Sequence, residues 1–237
     1  MPLSHAPKSF GNSSDRGSAA RRISDALSSS SRSMLRTIGG ELKLHAPFTL
    51  VGALTGIVIM VILSSAAVPR SFSTTLFWGL HPLHVLLSAL VTTGMYRLHS
   101  GGKLWATILI GYLGSVGIAT LSDCVIPYIG ETLLGLPNRG IHLGFIEKWW
   151  LVNPLAATGI AIAYLWPKTK FPHAGHVLLS TWASLFHMTM AAGGELSLQT
   201  MMVIFVFLFF AVWVPCCTSD IVFPLVFAKE STSPPLS

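Results

Sequence analysis

The chain has 237 residues, of which 51% are hydrophobic and only 10% are charged, and its mean hydropathy is +0.64. This composition excludes an ordinary water-soluble globular domain and indicates an integral membrane protein. The net charge of +6 does not indicate nucleic-acid binding, because apolar segments divide the basic residues among separate loops.

The N-terminal residues 1–44 differ in composition from the rest of the chain. They are rich in Ser and Arg, with the run SSSSRS at 28–33, and they contain few large apolar side chains. This composition predicts a disordered cytoplasmic tail. An organelle transit peptide is the alternative, because such peptides are Arg- and Ser-rich, although Asp15 and Asp25 disfavour it.

Six apolar segments follow, and most approach the roughly 20 residues that a helix needs to cross a bilayer. The predicted helices cover residues 46–68, 75–96, 104–126, 150–166, 174–193 and 198–217. The fourth is short, but Trp and Tyr residues border it on both sides, as is typical of membrane interfaces. We therefore predict an all-α polytopic membrane protein with six transmembrane helices.

The distribution of Lys and Arg predicts the orientation of the chain. All but three of the fifteen lie in the two tails or in the loops after the second and fourth helices. The exceptions are Arg70, Arg139 and Lys148. Because cytoplasmic loops carry an excess of positive charge, both termini are expected on the cytoplasmic side.

Two sequence motifs occur twice in the same order. HPLHVLLS at 81–88 matches HAGHVLLS at 173–180, and SDCVIP at 122–127 matches SDIVFP at 219–224. These matches predict two copies of a three-helix unit. An odd number of helices per copy inverts the second copy in the membrane, as in many transporters. The predicted units are residues 45–126 and 150–227, with a glycine-rich connecting loop at 127–149 and a C-terminal tail at 228–237.

The duplicated motifs contain histidines and acids suited to binding a metal ion. Residues at positions i, i+3 and i+7 share one helix face, so each histidine pair is expected to point in one direction. In the inverted arrangement, one cluster forms at each membrane face. The predicted ligands are His81, His84, Asp123 and His187 at one face and His173, His176 and Asp220 at the other. Imidazole and carboxylate groups in these numbers suit Zn²⁺ or a similar divalent cation.

A purely structural role is the alternative for these residues. Pro82 and Pro172 indicate that each histidine pair begins its helix, where His and Asp would form hydrogen-bonded clasps between neighbouring helices. Proton transfer without a metal is a further alternative.

Other polar residues are expected to have ordinary roles. His142 is expected to be an unremarkable loop residue, and Glu131 and Glu147 are expected to be solvated, although either could steer a cation. Cys216 and Cys217 are expected to pack as small apolar groups, with a soft-metal role as the lesser alternative.

The sequence contains none of the common nucleotide-binding, serine-hydrolase or zinc-protease motifs. The predicted function is therefore secondary transport of a divalent metal ion, coupled to proton movement through histidine. The first alternative is an intramembrane zinc hydrolase, because three His, an Asp and Ser88 or Ser122 resemble, in residue types only, the lipid amidases of the alkaline ceramidase group. A structural membrane subunit is the second alternative. The expected partners are membrane lipid, the metal ion and a second copy of the chain.

Overall fold

The computed structural model describes most of the chain after residue 45. The described residues are 46–63, 65, 66, 68–100, 103–167, 170–192, 196–217 and 222–229, with the isolated positions 36, 39, 40 and 43. At 170–174, 217, 225 and 229 the description covers the backbone alone. The chain divides into two units, Met1–Gly40 and Glu41–Ser237, and the account below concerns the second.

The fold is all-helical, and the described residues contain no strand. The helices are α1 (Ala46–Leu63), α2 (Arg70–His99), α3 (Leu104–Leu133), α4 (Gly144–Glu147), α5 (Trp149–Leu165), α6 (Lys170–Ala192), α7 (Leu198–Cys217) and α8 (Phe223–Lys229). Each of the six apolar segments found in the sequence therefore contains a helix.

Four of these helices, α1, α2, α3 and α7, are long and apolar enough to cross a membrane. This finding confirms the broad class, a helical membrane protein. The apolar α5 has only 17 residues, and α6 is not among the four. The number of six spans, the inverted repeat and the cytoplasmic position of the termini stay predictions.

Helices α2 and α6 pack against each other along much of their length. Phe77 lies beside His187, with ring centroids 5.1 Å apart, and His84 lies beside His176 at 5.6 Å. The residue numbers rise on one helix as they fall on the other, so the two helices are antiparallel. Because α2 and α6 carry the two copies of the histidine motif, this packing brings the copies together.

Close helix packing depends on small residues at the contacts. A Cβ atom added to Gly159 of α5 would lie 2.6 Å from the carbonyl oxygen of Leu86 in α2. A Cβ atom added to Gly111 of α3 would overlap the hydroxyl of Thr93 in α2. Glycine therefore lets the backbones of α3 and α5 approach α2, as is common between membrane helices.

Helix α2 begins at Arg70, so Pro82 lies inside it rather than in its first turn. The expectation that the first histidine pair opens its helix is therefore wrong. His84 is the fifteenth of 30 residues, about 21–23 Å from each end of α2 at 1.5 Å per residue. The first histidine pair thus lies near the middle of a long apolar helix.

Helix α3 contains two π-helical segments, Leu113–Gly117 and Leu121–Val125, and continues beyond its predicted end at 126 to Leu133. Pro127 lies two residues after the second π segment, where the hydrogen-bond register changes and a missing N–H is tolerated. Such π segments frequently mark functional sites.

Candidate functional site

Asp123 is the centre of a buried polar cluster. It lies in the second π segment of α3 and is fully buried. Its Oδ2 atom accepts hydrogen bonds from Nδ1 of His81 at 2.9 Å and Nδ1 of His84 at 2.7 Å. Its Oδ1 atom accepts from the hydroxyls of Ser122 at 2.7 Å and Ser180 at 2.8 Å. The cluster therefore joins α2, α3 and α6.

These four donors occupy the acceptor positions of the Asp123 carboxylate. A carboxylate has about four lone-pair positions, and each oxygen here accepts two hydrogen bonds. A buried carboxylate without partners would cost several kcal/mol in an apolar environment. In this arrangement Asp123 orients its neighbours and has no free position for a metal ion.

The orientation that Asp123 imposes determines the tautomer of both histidines. An ionised carboxylate only accepts, so Nδ1 of each neutral imidazole carries the hydrogen and Nε2 carries a lone pair. This is the state in which histidine binds a metal ion, and a carboxylate behind the ring is the usual orienting group.

His84 also belongs to a group of three potential metal ligands, which we call the His–Cys triad: His84 of α2, His176 of α6 and Cys216 of α7. All three residues are buried, and one ligand atom from each lies within 4.8 Å of the others. The two imidazole rings stack with 9° between their planes. Ligands on a tetrahedral Zn²⁺ lie about 3.3–3.6 Å apart, so binding requires these atoms to approach one another by at most about 1.5 Å.

A second histidine–carboxylate pair lies nearer the other end of α6. Nδ1 of His187 lies 2.6 Å from Oε1 of Glu131, and both side chains are fully buried. The second carboxylate oxygen accepts a hydrogen bond from the backbone N–H of Gly140 at 3.3 Å. Among the described residues, Nε2 of His187 has no hydrogen-bond partner.

The residues that follow α3 fold back over this pair, and we call residues 134–148 the loop segment. The backbone N–H of Asn138 donates to the carbonyl of Ala191 at the end of α6. His142 packs edge-on against His187, with ring centroids 5.4 Å apart. Gly144 lies against His81, because a Cβ atom on this glycine would overlap the imidazole. The loop segment therefore covers His81 of α2 and His187 of α6.

The structure assembles the predicted site residues differently from the sequence prediction. His81, His84 and Asp123 lie together, but His187 pairs with Glu131 instead of joining them. The prediction of two separate clusters at opposite membrane faces is wrong for His84 and His176, whose rings stack. The antiparallel packing of α2 and α6 is the reason. The side chain of His173, the side chain of Cys217 and all of Asp220 lie outside the described residues.

Several site residues were missed or given the wrong environment. Glu131 was expected to be solvated, but α3 continues past Pro127 and buries it completely. Glu147, in contrast, is 42% exposed, as expected. Ser180 was not among the predicted site residues, and it donates to Asp123. The signal for Ser180 was its position in the repeated motif, which it shares with the histidines.

Comparisons with protein-family models, curated proteins and solved structures give no match. The sequence and the fold alone therefore define the class of protein. It is a helical membrane protein with a buried cluster of histidines, carboxylates and a cysteine.

Proposed function

We propose that this protein is a membrane carrier of a divalent transition-metal ion, with His84, His176 and Cys216 as its ligands in the membrane interior. The observation that carries the proposal is the convergence of two imidazoles and one thiol from three helices at a buried position. Two nitrogen ligands and one sulfur ligand suit Zn²⁺ or another borderline-soft ion and disfavour Mg²⁺ and Ca²⁺.

Asp123 supports the proposal as an orienting group rather than as a ligand. Its hydrogen bond to Nδ1 of His84 leaves Nε2 of that ring directed away from the carboxylate, where it can bind the ion. By holding the imidazole of His84 in one orientation, the carboxylate raises the affinity of the site for the ion. His81 shares the same carboxylate oxygen and completes the orienting set.

The depth of the site favours transport of the metal ion across the membrane over metal storage at the membrane surface. Substrate and ion sites of membrane transporters lie near the bilayer midplane, in many cases beside interrupted helices. His84 lies at the middle of α2, and Asp123 lies in a π segment of α3. Metal binding displaces protons from histidine and cysteine, so we expect metal movement to be coupled to protons.

Zn²⁺ uptake into vesicles that contain the purified full-length protein tests this proposal. The wild type should take up Zn²⁺ and should respond to a pH gradient, whereas His176→Ala should lose uptake. His99→Ala is the matched control, because His99 is exposed and, within the described part of the chain, its ring bonds only the backbone of its own helix. Wild-type vesicles with no uptake above protein-free vesicles would overturn the proposed transport.

An intramembrane zinc hydrolase is the second candidate, because the three ligands found among the described residues would fill three of the four tetrahedral positions of Zn²⁺. Catalytic zinc sites have three protein ligands and a water molecule. The Ser180 hydroxyl lies 3.5 Å from Sγ of Cys216, so a polar group also borders the site. A protein that binds one Zn²⁺ through Cys216, shows no uptake and hydrolyses amide- or ester-linked lipids would establish this candidate instead.

A further inference from the structure

We propose a second divalent-metal site between His142 of the loop segment and His187 of α6. Each of these histidines has a carboxylate at Nδ1: Glu147 lies 3.2 Å from Nδ1 of His142, and Glu131 lies 2.6 Å from Nδ1 of His187. The two pairs therefore repeat the arrangement of Asp123 and His84, in which the carboxylate orients the ring and Nε2 is left for a metal ion.

The spacing of the two ring centroids allows a shared ion. A zinc ion lies about 2.0–2.1 Å from Nε2, so the centroid of each bound ring lies about 3.2 Å from the ion. Two such rings at a tetrahedral angle have centroids about 5.2 Å apart. The observed separation of His142 and His187 is 5.4 Å, with 65° between the ring planes.

A buried atom at this position also points to a ligand. Nε2 of His187 is buried and has no hydrogen-bond partner in the described part of the chain, which is costly for a polar atom. A metal ion would satisfy it. An ion of charge +2 would also balance Glu131 and Glu147 in their ionised forms.

The position of the site suggests how it would be used. His142 is 28% exposed and Glu147 is 42% exposed, whereas His187 and Glu131 are fully buried. An ion from solution can therefore reach His142 first and contact His187 next. The role of this second site as a loading position for the His–Cys triad rests on the proposed transport function. Its ability to bind a metal ion does not depend on transport.

Titration of the purified full-length protein with Co²⁺ tests the inference, because a cobalt–thiolate bond gives a near-ultraviolet charge-transfer band and a cobalt–imidazole bond does not. The wild type should bind two Co²⁺ ions, of which one produces the band. His142→Ala should bind one ion and keep the band. Cys216→Ser should also bind one ion, but without the band. His99→Ala should behave as the wild type.

Two results would overturn the second site: a wild type that binds only the ion with the thiolate band, or a His142→Ala variant that still binds two ions. If the wild type binds one ion without the band, and the His142→Ala variant binds none, the second site is supported and the triad is not a metal site. Glu147→Gln keeps the shape of a partly exposed side chain and should weaken the second ion about tenfold or more. An unchanged affinity of that ion in Glu147→Gln would contradict the orienting role.

Discussion

Replacing Asp123 with Asn tests the orienting role of the buried carboxylate without changing its shape. The amide oxygen can still accept from the two histidines, and the amide N–H groups can donate to the serine hydroxyls, which are able to rotate. The change therefore removes the negative charge while it keeps a hydrogen-bonded cluster.

The expected loss follows from the bonds that the carboxylate makes. A hydrogen bond to a charged group contributes about 1.5–3 kcal/mol, against about 0.5–1.5 kcal/mol for a neutral one. The difference at His84 is about 1–1.5 kcal/mol, which corresponds to about a tenfold weaker Zn²⁺ affinity at the triad. The second weakened bond, at His81, should bring the loss in unfolding free energy to about 2–3 kcal/mol.

Competition with a zinc chelator measures the affinity, and thermal unfolding with and without Zn²⁺ measures the stability. Glu147→Gln makes the same acid-to-amide change and should leave the thiolate-linked ion unaffected. If Asp123→Asn binds Zn²⁺ at the triad as tightly as the wild type, the orienting role is refuted. A loss of stability in a protein that binds no Zn²⁺ would identify the cluster as a helix clasp.

Three further predictions concern helix packing and protonation. Gly159→Ala should lower the thermal stability strongly, because the added Cβ would lie 2.6 Å from the carbonyl oxygen of Leu86. Gly79→Ala is the control and should be neutral or slightly stabilising, because a Cβ there meets no atom within 4 Å. Gly144→Ala should displace the loop segment from His81 and make the buried histidines more accessible, at a cost of about 1–3 kcal/mol, measured by unfolding and by modification with diethyl pyrocarbonate. Acidification should weaken metal binding, because ligation by imidazole and thiolate groups displaces protons, and a metal affinity that does not change with pH would contradict histidine ligation.

The sequence alone predicted the helices well, because a run of apolar residues is a direct physical requirement for crossing a membrane. The predicted 198–217 and 150–166 segments lie within a residue of α7 and α5. It also singled out Asp123 and the histidines of α2, because ionisable residues are rare in apolar helices. It could not predict that α3 continues past Pro127, since that depends on a local change in hydrogen-bond register.

The arrangement of the helices was less accessible from the sequence. Matching motifs in oppositely directed helices are compatible with sites at opposite faces or with one shared site. The side-by-side packing of α2 and α6 decides between these, and it depends on contacts distributed over several helices. The position of Cys216 beside His84 and His176 was missed for the same reason, because α7 carries no polar face that would indicate its neighbours.

The hydrogen bond between Asp123 and Ser180 has a consequence for how such a carrier could open. It crosses from the first predicted three-helix unit to the second, beside the stacked rings of His84 and His176. Sliding or tilting one unit as a rigid block would break this hydrogen bond, while His81, His84 and Ser122, all in the first unit, would stay bonded to Asp123. The same motion would separate the rings of His84 and His176, so in the proposed carrier we expect loss of the Ser180 hydrogen bond to accompany release of the ion.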